Sequence, residues 1–160
     1  MALLCTGCFE NGSPTAPSEP RQEARVAGVT FTVTGVALTR DFMPVVLEPG
    51  PDGGRPLTGV VRVSALAVGG NDQRRFYAGA VVFDQEGNGH RLSAVVRERD
   101  ALTLWDGSLA PGETKALEVA LSGGPFLPVG SRAGVVVEWT AQNGDRGTLH
   151  IPGVEVAATH

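Results

Sequence analysis

The sequence predicts an all-β fold, a two-sheet sandwich of roughly seven or eight antiparallel strands with no disulfide in its core. Three observations carry that expectation. From Val26 onward apolar and polar residues alternate with period two, and no amphipathic pattern of helix length appears. The 22 glycines and 11 prolines, about a fifth of the 160 residues, fall aperiodically between Val-rich runs, the composition of many short strands and turns. Both cysteines, Cys5 and Cys8, lie at the start of the chain, so the folded region must hold by packing alone.

The elements follow in order. Val29, Phe31 and Val33 alternate with Thr30, Thr32 and Thr34, a β-branched run suited to a sheet with one wetter face. Val61, Val63, Ala65 and Ala67 share a face opposite Arg62 and Ser64, and the strand ends at the turn Gly69-Gly70-Asn71-Asp72. Phe76 to Phe83 and Leu92 to Val96 flank Asp84-Gln85-Glu86-Gly87-Asn88-Gly89 as a hairpin. Leu102 to Trp105 reads as a short strand or rim segment. Leu117, Val119 and Leu121, then Val135, Val137 and Trp139, form two half-buried strands. Asn143-Gly144 turns the chain into a final strand, Thr148 to Val156, whose Pro152 suggests a sheet edge. Phe31, Val63, Val82, Leu92, Val119, Val137 and Trp139 are the predicted core, and a closed barrel is the alternative architecture.

An apolar share of 42% supports a real core in a single domain of this length. The net charge of −4 has the wrong sign for a polyphosphate backbone, which argues against nucleic acid as a partner. No apolar run reaches the length of a membrane-spanning helix.

Leu3-Leu4-Cys5-Thr6-Gly7-Cys8 would be a redox motif only between a strand and a helix, and two thiols without a nearby histidine do not close a zinc site. Thr6-Gly7-Cys8 resembles the end of a bacterial lipoprotein signal, in which small residues precede a cysteine that becomes acylated and N-terminal. The resemblance implies that Cys8 is lipidated, that residues 1–8 are signal-like, and that the protein faces the periplasm or the exterior. Residues 9–25 carry Pro14, Pro17 and Pro20 among polar side chains and read as a flexible tether with a reach of roughly 50 Å at about 3.1 Å per residue. The folded domain is then 26–160.

Three turns add a second resemblance. Val68-Gly69-Gly70-Asn71-Asp72, Asp84-Gln85-Glu86-Gly87 and Leu109-Ala110-Pro111-Gly112-Glu113-Thr114 are similar to those of immunoglobulin-like domains in secreted and lipid-anchored bacterial proteins. That resemblance implies an immunoglobulin-like sandwich and an extracytoplasmic address, not an activity. Pro111 presets φ and Gly112 accepts a positive φ, so Pro111-Gly112 forms a turn that launches the strand after it. Pro44 to Pro56 is an insertion beyond the family pattern.

Asp84-x-Glu86-x-Asn88-Gly89 imitates the start of an EF-hand loop, but Val95 stands where the bidentate Glu belongs, leaving a polar hairpin tip. His90, His150 and His160 are too scattered for a local zinc pattern, and neither metal nor cofactor is expected. No nucleophile elbow appears around Ser108 or Ser131. The candidate partner-binding loop is the Pro- and Gly-rich insertion with Glu48, Pro49, Asp52 and Arg55, and Trp105 is the candidate exposed aromatic. Together these features predict a lipid-anchored binding or scaffolding module of the bacterial cell envelope, partnered with the membrane through Cys8 and with envelope proteins. The alternatives are a small-ligand, carbohydrate-binding or protease-inhibitory sandwich, and a hydrolase whose acid and base, for instance Asp84 and His90, meet only in three dimensions.

Overall fold

In a computed structural model, residues 14–17, 19–42, 50–68 and 75–159 are described. They form eight strands and, among the described residues, no helix: β1 (Glu23–Val26), β2 (Val29–Asp41), β3 (Thr58–Ala67), β4 (Phe76–Phe83), β5 (Gly89–Glu98), β6 (Thr114–Ser122), β7 (Arg132–Ala141) and β8 (Arg146–Thr159). The alternating runs become strands where expected, and most extend further at both ends.

These strands do not stack as two open sheets. Their order is β1-β2-β3-β6-β5-β4-β7-β8, and the last four residues of β8 pair again with β2, Leu38 with Val156 through Asp41 with Thr159. That parallel pairing closes seven strands into a barrel and leaves β1 as one extra strand, so the immunoglobulin-like sandwich is replaced by the closed barrel. Period-two alternation buries one face of a sheet equally well in either architecture. Closure depends on strand length and bending. β2 and β8 are the longest strands, at 13 and 14 residues, and ladder irregularities break the pairing of β2 with β3 at Val33/Gly35 and of β7 with β8 at Ala133/Val135. Pro152 lies at the second irregularity, between Ile151, which pairs with Val135, and Val154, which pairs with Ala133. Its missing N–H therefore costs no ladder bond, and it marks a bend inside the wall instead of an edge.

β1 fills the wedge where β2 and β8 diverge. It pairs with β2 from Glu23–Thr32 to Val26–Val29, and just before it Arg21 and His150 exchange two main-chain hydrogen bonds, at 2.9 and 2.7 Å. The folded region thus begins before Val26. Ala27 (φ 47°) and Gly28 (φ 78°) make the two-residue reversal, and the Asp145 carboxylate accepts the Ala27 N–H at 2.6 Å. An alanine in that left-handed conformation gives no turn signature, which hides β1 from sequence reading. The Pro111-Gly112 turn forms as expected, with Gly112 at φ 75° and the Glu113 N–H donated to Ala110 O at 3.0 Å.

All seven predicted core residues are buried. Four rings dominate one end of the interior. Phe31 stacks on Trp139 at 4.1 Å and 9°, Phe76 meets Phe31 edge-on at 5.5 Å, and Trp105 stacks on Phe76 at 6.4 Å while standing at 75° to Trp139. The Trp139 indole N–H has no hydrogen-bond partner, so that residue serves by its ring.

Two substitutions test this packing. A Cβ at Gly147 would fall 2.7 Å from Val26 Cγ2 and 3.3 Å from Ala24 Cβ, so Gly147→Val should press β1 off the wall and cost about 1–3 kcal/mol. Phe31→Ala should cost about 3–5 kcal/mol by opening the ring cluster. Urea unfolding measures both, and a Gly147→Val midpoint equal to wild type would show that β1 is not packed there.

Candidate functional site

Three regions carry the polar and exposed side chains that could act on a partner. The first is the barrel end under the insertion. After the irregularity at Val33/Gly35 the inward parity of β2 switches, so Leu38 and Arg40 point into the barrel and both are buried. The Arg40 guanidinium donates to both carboxylate oxygens of Asp52, at 2.5 and 2.7 Å, to Arg55 O at 2.9 Å and to Leu127 O at 3.1 Å. It also lies 5.2 and 5.3 Å from the ring centroids of Phe42 and Phe126. A buried cation needs such compensation, and the planar fork suits a carboxylate held bidentately. These bonds to Arg40 keep the Asp52 carboxyl down at about 2, against the raising effect of burial. Arg55 donates its main-chain N–H to Asp41 O at 2.8 Å and sets its guanidinium 3.8 Å from the Asp41 carboxylate. Asp52 and Arg55, expected at a partner contact, hold residues 50–56 to the barrel while their side chains stay about half exposed. Glu48 and Pro49 lie outside the described residues, as does Cys8.

The second region is the β4–β5 hairpin tip with the cleft beside it. Asp84 and His90 do meet, at 3.1 Å. The same carboxylate accepts the main-chain N–H groups of Glu86 and Asn88 and the Asn88 side-chain amide. Burial alone would raise the Asp84 pKa, but His90, Asn88 and Glu86 hold it down at about 2. This is the hydrogen bonding of a hairpin tip, with the carboxylate kept ionised and its oxygens occupied. Alongside lies a shallow cleft of about 400 Å³ lined by Phe83, Asp84, Arg132 and His150 and, from the N-terminal segment, by Pro17 and Pro20. His150 is buried, with Nδ1 2.7 Å from Glu19 O, and Pro14 packs against Gly89. The described part of the segment read as a tether is thus a strap laid across the outer wall, beside the buried outward cluster of Val81, Phe83 and Val136.

The third region is a seam in the wall. β4 and β5 pair from Phe83–Gly89 to Ala80–Leu92 and then part. Continuing that register would set Gly79 against Ser93, Ala78 against Ala94 and Tyr77 against Val95, and none of these pairs forms. Trp105 holds the strands apart. Its main-chain N–H is donated to Val96 O at 3.0 Å, its ring stacks on Phe76, and the Phe76 main-chain N–H goes to Gly107 O at 2.9 Å. Along a strand, every second residue directs its main-chain groups to the same edge. Because Phe76 and Val96 bond across the seam, Ala78 and Ala94 also turn their N–H and C=O groups into it, without a ladder partner. A cleft of about 270 Å³ results, floored by Ala78, Ala94, Val96 and Trp105 and flanked by Tyr77, Val95 and Leu104. Leu104 and Tyr77 are 72% and 57% exposed, more than the cover of a closed barrel requires.

Trp105, expected as an exposed ring, is instead buried at 8%, with its indole N–H donated to Ser108 O at 3.0 Å. The ring is therefore not the open aromatic surface expected from the sequence. Tyr77, Ala94 and Leu104 were not predicted as site residues. Tyr77, the only tyrosine, was the one signal available. Lys115 bridges Glu98 at 3.0 Å and Glu113 at 3.4 Å, so both of these acids are paired. Comparison with known protein families, with characterised proteins and with solved structures finds no match to this chain.

Asp52 and Asp84 both have folded pKa values near 2, below the unfolded value of about 3.9, so their stabilisation is complete above about pH 4 and is lost as pH falls toward 2. Asp52→Asn leaves Arg40 buried without its counter-charge and should lower stability at neutral pH. The gap from wild type should narrow between about pH 4 and 2 as wild-type Asp52 protonates. Thermal melts across that range measure it, and a gap independent of pH would contradict the assignment.

Proposed function

We propose that this protein is an extracytoplasmic binding module of the bacterial cell envelope, held to the membrane by lipid on Cys8 and recruiting polypeptide at the β4–β5 seam, without catalysing a reaction. The observation that carries the binding reading is the open seam, where two strands part over an apolar floor and turn main-chain groups of Ala78 and Ala94 outward. Such an edge takes an extended backbone as its natural complement, main-chain bonds supplying affinity and side-chain pockets specificity. A cleft of about 270 Å³ falls below the roughly 300–1,000 Å³ of small-molecule sites, which favours a short stretch of a larger partner.

The anchoring reading rests on Thr6-Gly7-Cys8, and the strap adds a geometric consequence. With Pro14 against Gly89, six residues lead from Cys8 to the wall, a reach of at most about 20 Å. A lipid on Cys8 therefore holds the β4–β5 hairpin tip close to the bilayer, not at the far end of a long tether.

The test uses the native host. Cys8→Ala should move the protein from the membrane to the soluble fraction, and the intact mass of the membrane form should begin at an acylated Cys8. A photo-crosslinker at Tyr77 should capture an envelope polypeptide that the same group at Thr30, on the opposite part of the barrel, does not. An unmodified soluble wild-type chain would reject the anchor, and equal or absent capture at the two positions would reject the seam.

A further inference from the structure

The seam also says what chemistry its partner carries, an inference that rests on the polypeptide-binding reading above. The exposed face of β5 presents Arg91, Ser93, Val95 and Arg97 at alternate positions, and Arg75 stands exposed just before β4. Neither Arg91 nor Arg97 has an ion-pair partner within 4.0 Å among the described residues, whereas Glu118, directly across from Arg97 on β6, sits 3.8 Å from Arg62, and Glu98, next in the chain, bridges Lys115. The β5 rim is therefore locally cationic in a chain of net charge −4. On the other side Glu138 of β7 stands beside Gly79, so negative charge there repels a carboxylate.

We propose that the seam accepts an extended acidic segment, whose alternate apolar side chains enter the cleft over Ala78 and Ala94 while its carboxylates meet Arg91 and Arg97. The open stretch, Tyr77 to Gly79 against Ser93 to Val95, is three residues on each strand, about 10 Å. A strand seated there exchanges main-chain hydrogen bonds with Ala78 and Ala94. Its flanks must climb past the ends of the slot, closed by Ala80–Leu92 on one side and by the Arg97–Leu104 bridge on the other, and the β5 arginines border both exits. Charge complementarity of this kind sets partner choice and encounter rate more than raw affinity. It also disfavours a second copy of this chain, because pairing two such edges brings arginine against arginine.

Full-length protein carrying Cys8→Ala, which removes the acylation site, is titrated with two synthetic peptides of identical apolar pattern, one alternating Val with Glu and the other Val with Lys. Fluorescence anisotropy of the labelled peptide gives the affinity, and the amide resonances of Ala78 and Ala94 report the place. The Glu peptide should bind at least about tenfold tighter than the Lys peptide, move both amides, and weaken as salt rises. The variant Arg91→Gln/Arg97→Gln, at two exposed positions, should melt like wild type and abolish that preference. Equal binding of both peptides through the same amides would overturn the acidic preference and leave polypeptide binding standing. If neither peptide moves these amides, this inference and the seam reading both fall, and self-association through the same amides would show that the occupant is a second copy.

Discussion

Closure of the sheet by the parallel pairing of β2 with β8 is the constraint from which the other features follow. Four residues at the end of each strand join the first long strand to the last, residues far apart in the chain, and convert a curled sheet with two open edges into a wall with one interior. Inside it, one continuous apolar core gathers the inward faces of all eight strands, held by ring stacking and Val-rich packing. Closing seven strands requires some of them to serve two neighbours at different heights. β5 pairs first with β4 and then only with β6, and β8 pairs first with β7 and then with β2. Wherever a strand changes partner, a gap must be filled.

The two gaps are filled differently. At β2 and β8 the chain's own β1 enters, with Ala24 and Val26 directed to the core; it pairs with β2 along its length, and Arg21 just before it bonds to His150 of β8. At β4 and β5 a side chain enters instead. Trp105 fills the interior volume and its main-chain N–H satisfies Val96 O, but it does not reach the main-chain groups that Ala78 and Ala94 turn into the seam. The apolar interior is sealed while the strand edges stay available, and unpaired edges are surfaces that proteins ordinarily cover or blunt with charge. Arg91 and Arg97 beside this edge serve in that sense against self-pairing and at the same time give a partner segment a sign to match.

Arg40 shows the same economy at the end of the barrel. A guanidinium inside an apolar mouth is stable only when its donors are matched, and here the matching groups come from the insertion and the Leu127 segment. One buried cation thereby orders a Pro- and Gly-rich stretch that has little apolar surface of its own. Asp52 and Arg55, attractive as contact residues because they are charged and sit in an irregular loop, also take part in that internal work.

What the residues determined by themselves was local: which runs are strands, which side chains of each run face inward, where the Pro111-Gly112 and Asn143-Gly144 reversals fall, and that Phe31, Val137 and Trp139 lie in the core. Alternation and turn chemistry act over a few residues and are legible without tertiary structure. Whether the strands stack or close was decided by a parallel contact between Leu38–Asp41 and Val156–Thr159, which has no local signature. The inward turn of Arg40 followed from a one-residue parity change at a ladder irregularity, and β1 from an alanine in a left-handed turn. Trp105 went from expected surface ring to buried wedge because no pattern along 102–105 says what stands across from it. The seam is likewise a property of strands that fail to pair, and the same alternating residues would have read identically had they paired.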